Sequence, residues 1–188
     1  MGEAHKKNEE FKVEVIGGKQ IIMMSPAFSN HNLVKDNVLS LFRTYLKGHI
    51  CIPIGDGHKL VLEEGGYVVP DFFVLCDRLK RRKDGVYGAP DLIVEVLSLS
   101  TREYDKGEKK DLYERSGVKE YWLIEPDLRI IETYFLKDER YVLNGVYGIP
   151  DELEAEEDKV KIAQKFKVGI FPELLIKLED VFEYVVDW

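Results

Sequence analysis

One segment restricts the fold of this chain more than any other: residues 90–126, an apolar run, a charged run and a second apolar run. "PDLIVEVLS" (90–98) is aliphatic and β-branched enough for a strand covered on both faces. "STREYDKGEKKDLYERSG" (100–117) opens on a serine and a threonine that can cap a helix, carries charges at helical spacing and stops at Gly117. "KEYWLIEP" (119–126) reads as a strand again. Strand, helix, strand predicts a parallel crossover, hence an α/β chain with a mixed sheet and helices covering both of its faces.

The remaining segments fit around that unit. Residues 11–24, "FKVEVIGGKQIIMM", alternate and break at Gly17-Gly18, which predicts an N-terminal β-hairpin. Ser29 or Asn30 can cap a helix whose apolar positions are Leu33, Val34, Val38, Leu41, Phe42 and Leu46, with Gly48 as its stop. "HICIPI", "KLVL" and "YVVPDFFVLC" are short strands, and "DRLKRRKDGVYGA" (77–89) reads as a loop. "RIIETYFL" and "RYVLNG" form a further pair, "DELEAEEDK" is an acidic loop or short helix, and "LIKLEDVFEYVVDW" reads as a packed closing helix. With no internal repeat and no low-complexity linker, the 188 residues are expected to form one domain.

A hydrophobic share of 45% against 33% charged residues argues against disorder. No apolar run approaches the roughly 20 residues of a membrane helix, and the start carries no secretory h-region. Cys51 and Cys76 belong to no CxxC pair, so they are expected as two small buried thiols of a cytoplasmic protein. The net charge of −8 disfavours non-specific gripping of nucleic acid by phosphate neutralisation, although it leaves room for a local basic site.

Two acids break the apolar pattern. Asp71 follows Pro70 in "VVPDFFVLC", and Glu95 lies in the middle of "LIVEV". An unpaired carboxylate in such a run is costly to bury. If the two strands are neighbours, the acids face one another, and like charges that close repel. A divalent cation removes the conflict: Mg²⁺ takes one or two carboxylates plus water and phosphate oxygens. The bland alternative is that each acid pairs with a lysine or arginine. In the helix after Glu95, the i, i+3, i+7 rule puts Lys106, Lys109 and Tyr113 on one face, with Lys110 one position round. A lysine there can orient an attacking water or stabilise developing negative charge. Arg81 and Arg82, within "DRLKRRKD", can contact phosphate, or simply face solvent.

These residues carry a resemblance. "VPDFFVLCD", "GAPDLIVEVLSLSTREYDKGEKKDLYERSGVKEYWLIEPD", "MSPAFSNHNLV" and "FPELLIKLEDVF" resemble the Uma family, described as "putative restriction endonucleases", of the PD-(D/E)XK nuclease superfamily, over about residues 10–185. The resemblance implies a restriction-endonuclease-like fold, with Asp71 as the acid of the PD half-motif, Glu95 as the acid of the second half, and both as ligands of Mg²⁺ or Mn²⁺. The third motif position holds Leu97 where a lysine is usual, and the resemblance carries that lysine to Lys109. It also gives His31 a role in the site and Asp105 and Ser98 supporting hydrogen bonds, while Asp91, at a strand start, suits a turn or cap. Lys106, Lys110, Arg81 and Arg82 are the weaker substrate-binding candidates.

The function expected on these grounds is Mg²⁺-dependent hydrolysis of phosphodiester bonds in DNA, with a homodimer as the form that cuts two strands. The rival is a nuclease fold kept as a non-catalytic binding or assembly module. A phosphorylated small molecule is a third substrate compatible with carboxylates and a metal.

Overall fold

A computed structural model of the chain describes residues 11–24, 29–149 and 163–186. Strands β1 (Phe11–Ile16) and β2 (Lys19–Met24) form the expected antiparallel hairpin. Its turn puts Gly17 and Gly18 at φ +55° and +76°, the left-handed region that glycine enters without steric cost. Helix α1 (Asn30–Tyr45) buries Val34, Val38 and Phe42 along one stripe. Ser29 occupies the cap position but makes no side-chain cap bond. Asn30 is used differently: its amide donates to Val186 O (2.8 Å) and accepts from Val186 N (3.2 Å), tying the helix start to the chain's tail.

The strands that follow are β3 (Ile52–Gly55), β4 (Leu60–Val61), β5 (Phe72–Leu75), β6 (Arg81–Arg82), β7 (Gly85–Tyr87), β8 (Leu92–Val96), β9 (Glu120–Glu125), β10 (Ile130–Lys137) and β11 (Arg140–Gly148). Six of them make the central sheet, in the order β11-β10-β9-β8-β5-β3. Only β8 and β9 run parallel within it, joined by the predicted crossover; the other pairs are antiparallel. The crossover contains α2 (Arg102–Tyr104), a π-helical turn (Asp105–Lys109) and α3 (Lys110–Arg115).

Period-two alternation divides the central strands between two cores. Phe72, Val74, Leu92, Val94, Val96, Trp122 and Ile124 face α1. Phe73, Leu75, Ile93, Tyr121 and Leu123 face Leu112 and Tyr113 of α3. Asp71 and Glu95 belong by parity to the second set, so both point toward the side of the sheet that α3 covers. That placement follows from the sequence once both segments are strands.

Three expectations are corrected. The segment 77–89 is not simply a loop: β6 and β7 form a small hairpin that joins β4 in a three-stranded sheet. The closing helix is cut to one turn, α4 (Leu178–Val181). The preceding residues form β13 (Leu175–Lys177), paired with β12 (Lys165–Lys167) so that Ile176 and Phe166 are buried between exposed neighbours. Tyr184, at φ +63°, leaves the helical region altogether. The acidic run 151–159 lies outside the described residues.

The third correction concerns the cysteines. Ile52 pairs with Leu75, so the next pair outward is Cys51 and Cys76, and the two are joined as a disulfide. The sequence carries no spacing signal for this, because the pairing depends on strand register. The bond closes a separation of 25 residues, for which chain entropy predicts about 3–4 kcal/mol of stabilisation. Dithiothreitol should therefore lower the urea midpoint clearly, and alkylation without reductant should label neither cysteine. Two labelled cysteines in unreduced native protein would return them to free thiols. Among the described residues no helix is long and apolar enough to cross a membrane.

Candidate active site

The sheet sets Asp71 beside Glu95. Phe72 pairs with Val94 in antiparallel register, and one further step brings the two acids opposite each other. Asp71 N–H donates to Glu95 Oε2 (3.3 Å), and Val96 N–H donates to Asp71 Oδ2 (3.0 Å). Both carboxylates are buried. The crossover then lays Lys109 over them: its Nζ lies 2.9 Å from Glu95 Oε1, 3.1 Å from Asp105 Oδ1 and 3.4 Å from Glu14 Oε1. Tyr113 donates its hydroxyl to Glu95 Oε1 at 2.6 Å.

The π turn decides which helical residues face inward. Its i→i+5 bonding puts more residues into one turn than the 3.6 of an α-helix. Residues four apart, Asp105, Lys109 and Tyr113, therefore come into line on the buried face. Lys106, expected on that face, points instead to Glu132 Oε1 on β10 (3.0 Å). Lys110 sits over the Tyr134 ring, 3.5 Å from its centroid. Both are occupied along β10.

His31 arrives from the first turn of α1, with Nε2 3.2 Å from Asp71 Oδ2. Ser98 bonds to Thr101 through their hydroxyls (3.0 Å), and both line the cleft. Asp91 stands apart: it accepts from Cys76 N (2.8 Å) and pairs with Lys119 (2.7 Å), holding the end of β5 to the start of β9. Tyr121 and Trp122 are fully buried in the core. Arg81 and Arg82 lie outside the cleft on β6, exposed.

Four site residues were not expected. Lys12 Nζ lies 3.3 Å from Asp71 Oδ1 and 3.5 Å from Asp56 Oδ1, and Lys35 pairs with Asp56 at 3.1 Å. Glu14 is completely buried and accepts Val69 N–H at 2.7 Å. Lys12 and Glu14 alternate with Val13 and Val15, a pattern that signals a solvent-facing strand. Here the hairpin is turned so that its polar side covers the carboxylates.

The electrostatics are sharply uneven. Burial, helped by Asp105 and Asp71, outweighs Lys109 and pushes the Glu95 carboxyl up to about 8. Burial opposes ionisation of Asp71 too, but Lys12 and the His31 hydrogen bond outweigh it and hold this carboxyl well below the usual range. Burial would also strip Lys109 of its proton, yet Glu95, Asp105 and Glu14 keep its ammonium charged far above the ordinary lysine value. His31 is raised despite its burial, by Asp71. Their surroundings thus push the two carboxyls in opposite directions, Asp71 down and Glu95 up.

The residues present suit a hard divalent cation. Glu14, Asp71, Glu95 and Asp105 bring four carboxyl groups, all hard oxygen donors, into one low-dielectric setting beside the ammonium groups of Lys12 and Lys109. Glu14 Oε2 and Asp105 Oδ1 are buried without a well-formed hydrogen bond, although Asp105 Oδ1 is near Lys109. Among the described residues no ready-made shell of three or more histidine, cysteine or acidic side chains is gathered.

Sequence and fold connect the chain to known proteins. It is 32% identical over 137 residues to the uncharacterized protein slr1290 of Synechocystis sp., covering 72% of each. It is 29% identical over 148 residues to the uncharacterized protein sll1609 of the same organism, covering 76% of this chain and 83% of that one. A crystal structure titled as a "putative nuclease belonging to DUF820" from Anabaena variabilis superposes with a TM-score of 0.67. That likeness covers 93% of this chain and 91% of the other at 21% identity, and establishes the restriction-endonuclease-like fold. A family profile described as "Uma2: Putative restriction endonuclease" matches residues 3–161, and the chain belongs to that family.

Proposed function

We propose that this protein is a divalent-metal-dependent endonuclease that hydrolyses phosphodiester bonds in DNA. The observation that carries the reading is the convergence of a buried lysine, Lys109, on Glu95 with Asp71 directly alongside, at the floor of a cleft. A structural ion pair needs one acid and one base. This cluster holds two acids with opposed proton affinities and an ammonium kept charged between further carboxylates.

Asp71 and Glu95 would hold the metal, which when bound lowers the pKa of a water and polarises a phosphoryl oxygen. The remaining work falls to the chain. Tyr113 fixes the Glu95 carboxylate through Oε1, and the Asp71 amide fixes Oε2. Lys109 offers a permanent positive charge, locked in place by three acids, where negative charge develops on the phosphorus oxygens. His31 orients Asp71 and keeps it ionised. The β1–β2 hairpin, through Glu14 and Lys12, closes one side of the cleft and limits access of bulk water.

The test uses supercoiled plasmid with the purified protein and Mn²⁺, with EDTA as control. Nicked or linear product is expected with metal only, and Asp71→Ala should abolish it while Mn²⁺ binding by calorimetry falls together with it. Wild-type protein that binds no Mn²⁺ and leaves the plasmid intact would favour the non-catalytic module, with Lys12 and Lys109 as the lasting counter-ions of the acids.

A further inference from the structure

The cleft is small beside a second concavity. This second one is a groove of about 660 Å³ between the edge strand β3, the β6–β7 hairpin and the exposed Arg43 of α1. Arg43, Lys59, Arg81, Arg82 and Lys83 line it against one carboxylate, Asp84. Such a concentration of positive charge stands out in a chain of net charge −8. Charge this local, facing a concave surface, is what a polyanion recognises.

Three details show that the groove is built. The Arg82 guanidinium sits over the Tyr87 ring, its Cζ 4.0 Å from the ring centroid, which restricts its rotamers. Tyr87 is in turn fixed by its hydroxyl bond to Asp84 (2.8 Å). Gly85 lets the hairpin close on Lys59: a Cβ there would stand 2.8 Å from Lys59 O. The groove also adjoins the cleft, because the end of β3 and the turn after it supply Gly55, Gly57 and His58 to the groove and Asp56 to the cleft.

From this we infer that the groove is the cradle for the DNA backbone flanking the scissile phosphate, with Arg43, Arg81 and Arg82 as its main phosphate contacts. The inference rests on the nuclease reading for its choice of ligand. It assigns binding and cleavage to separate, adjoining surfaces: the cleft is acidic and takes the reacting phosphate, whereas the groove is basic and takes its neighbours. Binding in the groove needs no metal.

The experiment measures the affinity of wild-type protein for a fluorescent 20-base-pair duplex by anisotropy, in EDTA, over a range of salt. The same is done for Arg43→Ala/Arg81→Ala/Arg82→Ala and for a control triple of exposed lysines, Lys137→Ala/Lys165→Ala/Lys167→Ala. Each lost phosphate contact lowers the salt slope by about 0.9. The groove triple should lose at least tenfold in affinity and two to three in slope, with its melting temperature kept, while the control stays at wild type. Equal loss in both triples, or none in the groove triple, overturns the assignment. Groove-dependent binding without cleavage in Mn²⁺ would leave the cradle standing and remove the catalytic reading. Cleavage with a salt slope indifferent to the groove would do the reverse.

Discussion

Lys109→Ala should cost the protein about 3–5 kcal/mol of folding stability, the scale on which loss of one partner from a buried ion cluster is felt. Lys109 is among the most deeply buried side chains of the molecule and is shared by Glu95, Asp105 and Glu14. Without it, three carboxylates face one another with no ammonium nearer than Lys12. Against a typical total of about 5–15 kcal/mol, that loss is severe. Lys109→Met keeps the aliphatic stem and removes only the charge, so it should recover a small part of the loss. Urea denaturation of both variants is the check. If Lys109→Ala unfolds within about 1 kcal/mol of wild type, the carboxylates are not dependent on this lysine. The expected loss also warns against reading inactivity of Lys109→Ala as a catalytic effect.

Glu95→Gln separates chemistry from folding more cleanly. Glutamine keeps the size of the side chain, and its one oxygen can still accept from Tyr113 and Lys109, while its amide nitrogen gives up only the long bond from Asp71 N–H. It discards a carboxylate whose charged form burial already opposes. Its melting temperature should stay within a few degrees of wild type. Plasmid cleavage in Mn²⁺ should drop by at least about a hundredfold, comparable to deleting one preorganised electrostatic group from an active site. A Glu95→Gln protein that nicks plasmid at the wild-type rate would place the reaction elsewhere.

Much of this was legible before any coordinates. The β8–crossover–β9 unit, the N-terminal hairpin and the first helix all follow from periodicity, because each buries a face with the period of its own secondary structure. Asp71 and Glu95 stood out because each breaks an apolar run. Lys109 needed the resemblance, since lysines are common on such a helix. Glu14 was out of reach: it sits where an alternating strand normally meets solvent, and only the docking of the hairpin turns that side inward. The π turn was equally hidden, and with it the replacement of Lys106 by Asp105 on the inner face. The Cys51–Cys76 bond and the β12–β13 pairing depend on register between distant segments, about which local pattern is silent.

The hairpin that carries Lys12 and Glu14 has a consequence for when the activity can exist. Lys12 reaches Asp71 across 59 positions, and Asp71 reaches Glu95 across a further 24. Tyr113 reaches Glu95 across only 18, so the hairpin contacts are the ones of longer separation. Contacts of such separation form only after long loops have closed, which places them late in folding. A chain still emerging from the ribosome, or one partly melted, therefore holds acids and lysines but no assembled site. Under the proposed nuclease reading, completion of the fold is itself what arms the site.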